Sequence, residues 1–316
     1  MSALDVPEFV AQRNFDCKMT SRETLARHDV LVESDNEWQQ HARSLQALWR
    51  ERHDLPVGLH RGRRLGSRLA MPYARDTLAT FMTETVRDVV RAEVLDVNTS
   101  AGKLYEEPRI YDNLLTSQAL CFNLFGELQR DLRLASRALG DLLGEPTLEV
   151  TAIQYEYSPG RSDSRFTADK TAFDVFVVYR SGATRGFLGI EVKYAENLIE
   201  DPARHRARYE ELAEAMGCFV PERLPELRKK PLEQFWRNHL LAGSLVHDET
   251  SGFKEGRFVL LYPNRNVIVG GTVELYRTCL TDEAMFTTWT LESVLDAIVD
   301  AGGGQWVQSV RERYVG

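Results

Sequence analysis

The stretch Ala172-Phe-Asp-Val-Phe-Val-Val-Tyr-Arg-Ser-Gly-Ala-Thr-Arg-Gly-Phe-Leu-Gly-Ile-Glu-Val-Lys-Tyr194 decides how the rest of the chain is read. Two runs rich in β-branched and aromatic residues, Ala172–Arg180 and Arg185–Tyr194, flank Ser181-Gly182-Ala183-Thr184, so the segment reads as a β-hairpin. With a two-residue loop at Gly182-Ala183, Ser181 stands opposite Thr184. Counting outward from that turn sets Asp174 opposite Glu191, and opposed residues on one face have Cβ atoms ~4.5–5.5 Å apart. Lys193 lies two residues beyond Glu191 and shares its face. Phe176 and Val178 accompany Asp174, while Phe173, Val175 and Val177 fall on the other face with Leu188, Ile190 and Val192. Both faces are apolar, so the strands are expected inside a sheet covered on both sides.

Three charged side chains in such surroundings need a reason. Glu-x-Lys on an exposed strand is ordinarily a surface charge pair of little consequence. Here two carboxylates would repel and lose hydration. One lysine offsets part of that, and a divalent cation would offset the rest. Hard oxygen ligands suit Mg²⁺, with Mn²⁺ as a substitute. Asp174 and Glu191 are then the expected metal ligands. Lys193 is expected to orient or help deprotonate water and to stabilise charge on a phosphodiester under attack.

Outward from the hairpin, Leu148–Tyr157 reads as a strand ended by Ser158-Pro159-Gly160-Arg161, with a polar loop up to Lys170. Leu114–Leu143 reads as one long buried helix. Helical sequence returns at Asp201–Met216, Leu232–Leu245 and Thr290–Ala301. Arg257–Tyr262 is a short strand, and Val267–Leu275 is expected to be another. Ser34-Asp35-Asn36-Glu37 offers helix-start chemistry for a helix to about Asp54, and a second helix is expected over Arg75–Val94. The division expected is a mainly helical N-terminal region, 1–105, followed by a layered α/β domain, 106–316.

The motif set resembles the PD-(D/E)XK nuclease superfamily. The resemblance rests on Ser158-Pro159-Gly160-Arg161, Thr171-Ala172-Phe173-Asp174 and Gly189-Ile190-Glu191-Val192-Lys193-Tyr194, and on the helix Asn113-Leu-Leu-Thr-Ser-Gln-Ala-Leu-Cys-Phe-Asn-Leu-Phe125. It covers roughly residues 105–265, is weaker in the N-terminal third, and is strongest to one bacterial subgroup of unsettled role. It implies a restriction-endonuclease-like α/β core, αβββαβ, with a mixed central sheet flanked by helices. It also implies Asp174 and Glu191 as metal ligands and Lys193 as the catalytic lysine of a DNA endonuclease used in restriction or phage defence. Many members carry a glutamate on the first core helix, where this chain has Gln118, with Glu127 nine residues on. Gln118 and Glu156 are the alternatives for completing the site. The missing glutamate keeps a second reading open: a nuclease fold that binds nucleic acid or a partner protein without cutting.

Other residues are candidates for support. Arg161 and Arg165, in the loop before the hairpin, suit a phosphate. Gln234, Arg237 and Asn238 sit on the helix after Lys193, and in related nucleases a glutamine on that helix often approaches the site. The basic run His60-Arg61-Gly62-Arg63-Arg64 is a candidate nucleic-acid contact, as are Arg165 and Arg237.

Composition sets the outer limits. The 316 residues are 43% hydrophobic and 27% charged, the profile of a globular protein with room for a large core. A net charge of −8 argues against a simple nucleic-acid-coating protein and is compatible with local basic patches around acidic metal ligands. No apolar run is long enough for a membrane span. The N-terminus, MSALDVPEFVAQRNFDCK, has acids where a secretory leader needs a basic start, so a cytoplasmic location is expected. Cys17, Cys121, Cys218 and Cys279 are scattered, which indicates reduced, buried thiols rather than a zinc site. No H-E-x-x-H, G-x-x-x-x-G-K-[ST] or G-x-S-x-G pattern occurs. The expected partner is nucleic acid, DNA before RNA. Cutting two strands calls for two active sites, so a homodimer is expected.

Overall fold

A computed structural model describes residues 21–316; the N-terminal stretch discussed above, with Cys17, lies outside the described residues. A five-stranded mixed sheet forms the centre. Strands β3 (Leu148–Tyr157), β4 (Phe173–Ser181) and β5 (Thr184–Val192) make an antiparallel meander, and β6 (Glu255–Tyr262) and β7 (Phe286–Thr290) add in parallel in the order β3-β4-β5-β6-β7. Ahead of them, β1 (Val57–His60) and β2 (Arg63–Leu69) form a separate hairpin. The mixed sheet with helices on both faces is the restriction-endonuclease-like core expected from the sequence, extended by β7.

The β4–β5 register runs from Ser181↔Thr184 to Val175↔Ile190, as the two-residue loop requires. Gly182 takes φ 60° while Ala183 stays at negative φ, the pattern of a type II′ turn with glycine first. Both strands are internal, because β3 pairs with β4 and β6 with β5. The alternation fails at one position. Phe173 was expected on the face opposite Asp174, yet its ring joins Phe176 and Phe187 in the same core layer, 5.9 Å from the Phe176 ring. Glu156, on the neighbouring strand, takes a left-handed backbone (φ 49°), which disturbs strand parity there. Gly189 leaves the space: a Cβ on it would sit 2.4 Å from Phe173 Cε1.

The two faces carry different helices. Helices Glu37–Arg52, Ser117–Arg130, Leu132–Leu143, Leu291–Asp300 and Gln305–Tyr314 pack on Val175, Val177, Leu188 and Ile190. Helices Ala207–Met216, Glu233–His247 and Val267–Arg277 pack on Phe176, Phe187, Phe258 and Leu260. Trp38, Trp49 and Phe81 share the first layer with Phe122, Ile190, Tyr194 and Tyr314, so one core runs across the expected boundary at residue 105. Among the described residues no helix is long and apolar enough to cross a membrane. Cys121, Cys218 and Cys279 are free and buried.

Several local readings are corrected by capping chemistry. The expected helix 114–143 is two helices, because Asp131 ends the first and caps the second by accepting from Leu134 N at 2.9 Å. The expected helix 75–94 is broken into Tyr73–Thr77, Glu84–Val90 and a π turn Arg91–Leu95, with Thr83 capping the middle piece. Residues 267–275, expected as a strand, are helical: Asn266 caps the helix, and Val269, Thr272, Val273 and Tyr276 bury one face at helical spacing. The region expected to be mainly helical also contains the β1–β2 hairpin. Its turn, Arg61-Gly62, has φ 49° and 78°, the double left-handed signature of type I′. The short strand β7 and the C-terminal helix Gln305–Tyr314 went unread in the sequence.

Gly189→Ala tests the contact that lets Phe173 cross the sheet. The added methyl must displace a packed ring, at a cost of about 1–3 kcal/mol. A lower urea midpoint than the parent chain, with little change in the slope of the transition, is the expected result.

Candidate active site

Asp174, Glu191 and Lys193 come together at one end of the sheet, on the floor of a cleft of about 980 Å³. Asp174 is half-buried, Glu191 is 3% exposed and Lys193 is 6% exposed. Asp174 Oδ2 accepts from Val192 N at 2.8 Å, which fixes the aspartate across the strand pair from Glu191. Lys193 Nζ lies 2.7 Å from Glu191 Oε1. Just past the end of β5, Lys193 N donates to Leu261 O at 2.8 Å, so the parallel neighbour β6 holds its backbone.

The helix Glu233–His247 closes the site from above. Gln234 accepts from Lys193 Nζ at 3.0 Å and donates to Glu191 Oε1 at 2.7 Å. One turn later Asn238, itself buried, donates to Glu191 Oε2 at 2.7 Å. Both Glu191 oxygens therefore have donors, as a buried carboxylate requires. Arg237, on the same helix, reaches away from the two carboxylates to Asp169 Oδ2 (3.2 Å), Thr171 Oγ1 (2.9 Å) and Glu233 (2.7 Å). That network ties the helix to the loop that leads into β4.

The electrostatics follow from burial and crowding. Loss of hydration, then the neighbouring Glu191 charge, push the Asp174 carboxyl well above the usual carboxylate range, against the pull of Lys193 and the Val192 N–H. Burial works against the Lys193 ammonium, but Glu191, Glu196 and Asp174 outweigh it and raise its pKa. A divalent cation fits this donor set. Two carboxylates that repel one another face a common space, and Mg²⁺ binds through one or two carboxylates while keeping waters and substrate phosphate oxygens for its other positions. Among the described residues no group of three or more His, Cys, Asp and Glu side chains converges as a closed metal cage.

The remaining sequence candidates divide. Gln118 lines the cleft, but its carbonyl accepts from Glu106 N (3.1 Å) and its amide donates to Leu104 O (3.1 Å), so it staples a loop. Glu156 lies close enough for the Glu191 charge to add to the burial that raises its pKa, yet its carboxylate is bound by Arg161 Nη2 at 2.9 Å. Arg161 also donates to Lys170 O and stands off the cleft wall. Arg165 turns to Asp163 (2.8 Å), and Arg64 to Asp29 (3.2 Å). Arg61, Arg63 and Arg237 do line the cleft. Sequence reasoning passed over three features. Glu196 faces the cleft and accepts from Tyr194 N at 2.6 Å. Trp38 Nε1 donates to Tyr194 O (2.6 Å) and Gln39 Nε2 to Ala195 O (2.9 Å), which clamps the chain just after Lys193 from a helix some 150 residues earlier. No local pattern signals a contact at that separation.

The fold and the floor of the cleft define a nuclease-type α/β architecture with a two-carboxylate, one-lysine site. A model of the PD-(D/E)XK nuclease superfamily matches residues 33–316, and the chain belongs to that superfamily. No curated protein and no solved structure matches it significantly. Nucleases of this superfamily generally use divalent metal ions and act on nucleic acid.

Asp169 offers a test of the network behind the site. Burial opposes its ionisation, but hydrogen bonds from Thr171, Tyr209 and Thr167 prevail and lower its pKa from 3.8 to about 2. A carboxyl depressed in the folded state contributes stability above its unfolded pKa and loses it as pH falls through the folded value. The urea midpoint of the wild type should therefore drop between about pH 4 and about pH 2, and Asp169→Asn should lack that component of the drop.

Proposed function

We propose that this chain is a Mg²⁺-dependent endonuclease acting on DNA, with Asp174 and Glu191 as metal ligands and Lys193 as the catalytic lysine. The observation that carries the reading is the convergence of these three side chains on the floor of one cleft, with donors from Gln234 and Asn238 fixing Glu191. Asp174 and Glu191 would hold the ion. When bound, the cation would supply Lewis-acid polarisation of a phosphodiester oxygen and acidify a water. Lys193 places an ammonium where negative charge develops on the phosphodiester under attack. Gln234, bonded to both Lys193 and Glu191, keeps the two at a fixed separation, so little reorganisation is needed at the moment of reaction. The Val192 N–H keeps Asp174 turned toward Glu191 rather than into solvent. Restriction or phage defence is the biological setting we propose, on family grounds alone.

One observation favours a non-cutting alternative, in which the fold binds nucleic acid or a partner protein. The first core helix presents Gln118 to the cleft, and both polar atoms of that side chain are tied to the backbone. No acid from this helix then joins Asp174 and Glu191.

Incubation of the purified chain with supercoiled plasmid and Mg²⁺ separates the two. Nicking or linearisation is expected for the wild type, with rates lowered about 10²-fold or more by Asp174→Ala, Glu191→Ala or Lys193→Ala. Equal cleavage by all four proteins discards the proposed site. Calorimetric titration with Mn²⁺ adds a second readout: binding that disappears in Glu191→Gln supports a metal centre even if no cleavage is seen.

A further inference from the structure

The cleft holds more cations than its floor uses, and most of them are already matched. Arg43 is paired with Asp35, Arg68 with Asp112 at 2.7 Å, Arg109 with Glu106, Lys230 with Asp201 at 3.0 Å, and Arg237 with Glu233 and Asp169. Arg61 and Arg63 differ. Both are exposed, both line the cleft, and among the described residues neither side chain has an ion-pair or hydrogen-bond partner. They flank Gly62 at the tip of the β1–β2 hairpin, and Arg61 occupies the first central position of the type I′ turn, at φ 49°. That position favours asparagine, aspartate or glycine and disfavours a side chain such as arginine. Local turn chemistry therefore does not account for an arginine there. Burial first, and then the charges of Arg68, Arg61 and Arg43, lower the neighbouring His60 imidazole pKa against the opposing charge of Asp112.

The glutamines of the same cleft are already engaged. Glutamine is a natural reader of adenine edges. Each of three cleft glutamines has its carbonyl and its amide nitrogen occupied within the protein: Gln39 by Asn36 and Ala195, Gln118 by Glu106 and Leu104, Gln234 by Lys193 and Glu191. Among the cations that line the cleft, the two guanidiniums of Arg61 and Arg63 are left unpaired above an acidic floor.

We propose that the tip of the β1–β2 hairpin is a phosphate grip, in which Arg61 and Arg63 hold backbone phosphates flanking the scissile one. The enzyme thereby selects its substrate as a polyanion, without reading base sequence. This rests on the reading of the floor as a nuclease centre, and deepens it by assigning the substrate-holding wall. The grip also resolves a charge problem. A chain of net charge −8 must bring a polyanion to two carboxylates, and cations projecting from the wall attract it locally.

The test uses binding, so that it stands apart from catalysis. In a Lys193→Ala background with Mg²⁺ present, affinity for fluorescein-labelled oligonucleotides of several base compositions is measured by anisotropy across a salt series. The probing variants are Arg61→Asn, which creates the Asn-Gly pair that the type I′ turn prefers, and Arg63→Gln. Each should reduce the slope of log affinity against log salt by about 0.9 on duplex, or about 0.7 on single strands, equally for all sequences. The thermal midpoint of Arg61→Asn should be unchanged or raised, which separates loss of the cation from damage to the hairpin. Unchanged slopes, or absence of salt-dependent binding in the background protein, overturn the grip. A loss confined to one base composition also overturns it, because the tip would then be reading a base. Plasmid cleavage by the wild type is scored separately: a responsive slope without cleavage sinks the nuclease reading and leaves the grip standing.

Discussion

Two carboxylates held side by side at the buried end of a sheet are the constraint around which this structure is arranged. Asp174 and Glu191 sit on adjacent internal strands, where hydration is scarce and their charges repel. Such a pair persists only if every oxygen has something to meet. Val192 N–H meets one Asp174 oxygen, Lys193 and Gln234 meet one Glu191 oxygen and Asn238 the other, while Asp174 itself lines the open cleft; the donors come from the strand, from the residue just beyond its end, and from two successive turns of one crossover helix. The helix must therefore sit at a defined height over β5. The Arg237 network to Asp169 and Thr171, together with the apolar packing of Phe235 and Trp236, sets that height.

The residues before the sheet belong to the same problem. Lys193 lies just past the last residue of β5, and a strand end is free to wander. Trp38 and Gln39 from the helix Glu37–Arg52, and Asn266 from the segment after β6, bind the carbonyls of Tyr194 and Ala195. Gln46 reaches the Tyr194 hydroxyl at 3.1 Å and the Arg313 carbonyl at 3.0 Å, and the Arg313 guanidinium, wholly buried, lies 3.7 Å over the Trp49 ring. The helices Glu37–Arg52 and Gln305–Tyr314, far apart in sequence, thus meet behind the lysine. Their shared core with the sheet makes the helix Glu37–Arg52 a support of the site, and the hairpin that follows that helix is carried to the cleft wall.

Much of the centre was legible in the sequence because its determinants are local. Gly182 permits a tight turn, the turn fixes the register, and a period of two then assigns faces. From those three steps Asp174, Glu191 and Lys193 can be placed together without any tertiary information. The misreadings have equally local causes. Side-chain capping by Asp131 and Thr83 outcompeted helical continuity. The β-branched run at 267–275 looked like a strand by composition, whereas its buried positions follow a helical spacing. Phe173 departed from strict alternation because Gly189, on the next strand, leaves a hollow for its ring.

The sequence by itself determined the sheet's central hairpin, its register and the meeting of three charged side chains, since a strand pair joined by a two-residue turn has almost no freedom left. Only the tertiary structure decided which polar residues complete the setting. Gln234 and Gln118 are the same residue type, each on a helix beside the cleft, yet one binds the Glu191–Lys193 pair and the other a loop backbone. Arg63 and Arg64 are adjacent, yet one lines the cleft and the other pairs with Asp29. These outcomes depend on where distant segments pack, and packing is set by the whole core rather than by neighbours in the chain.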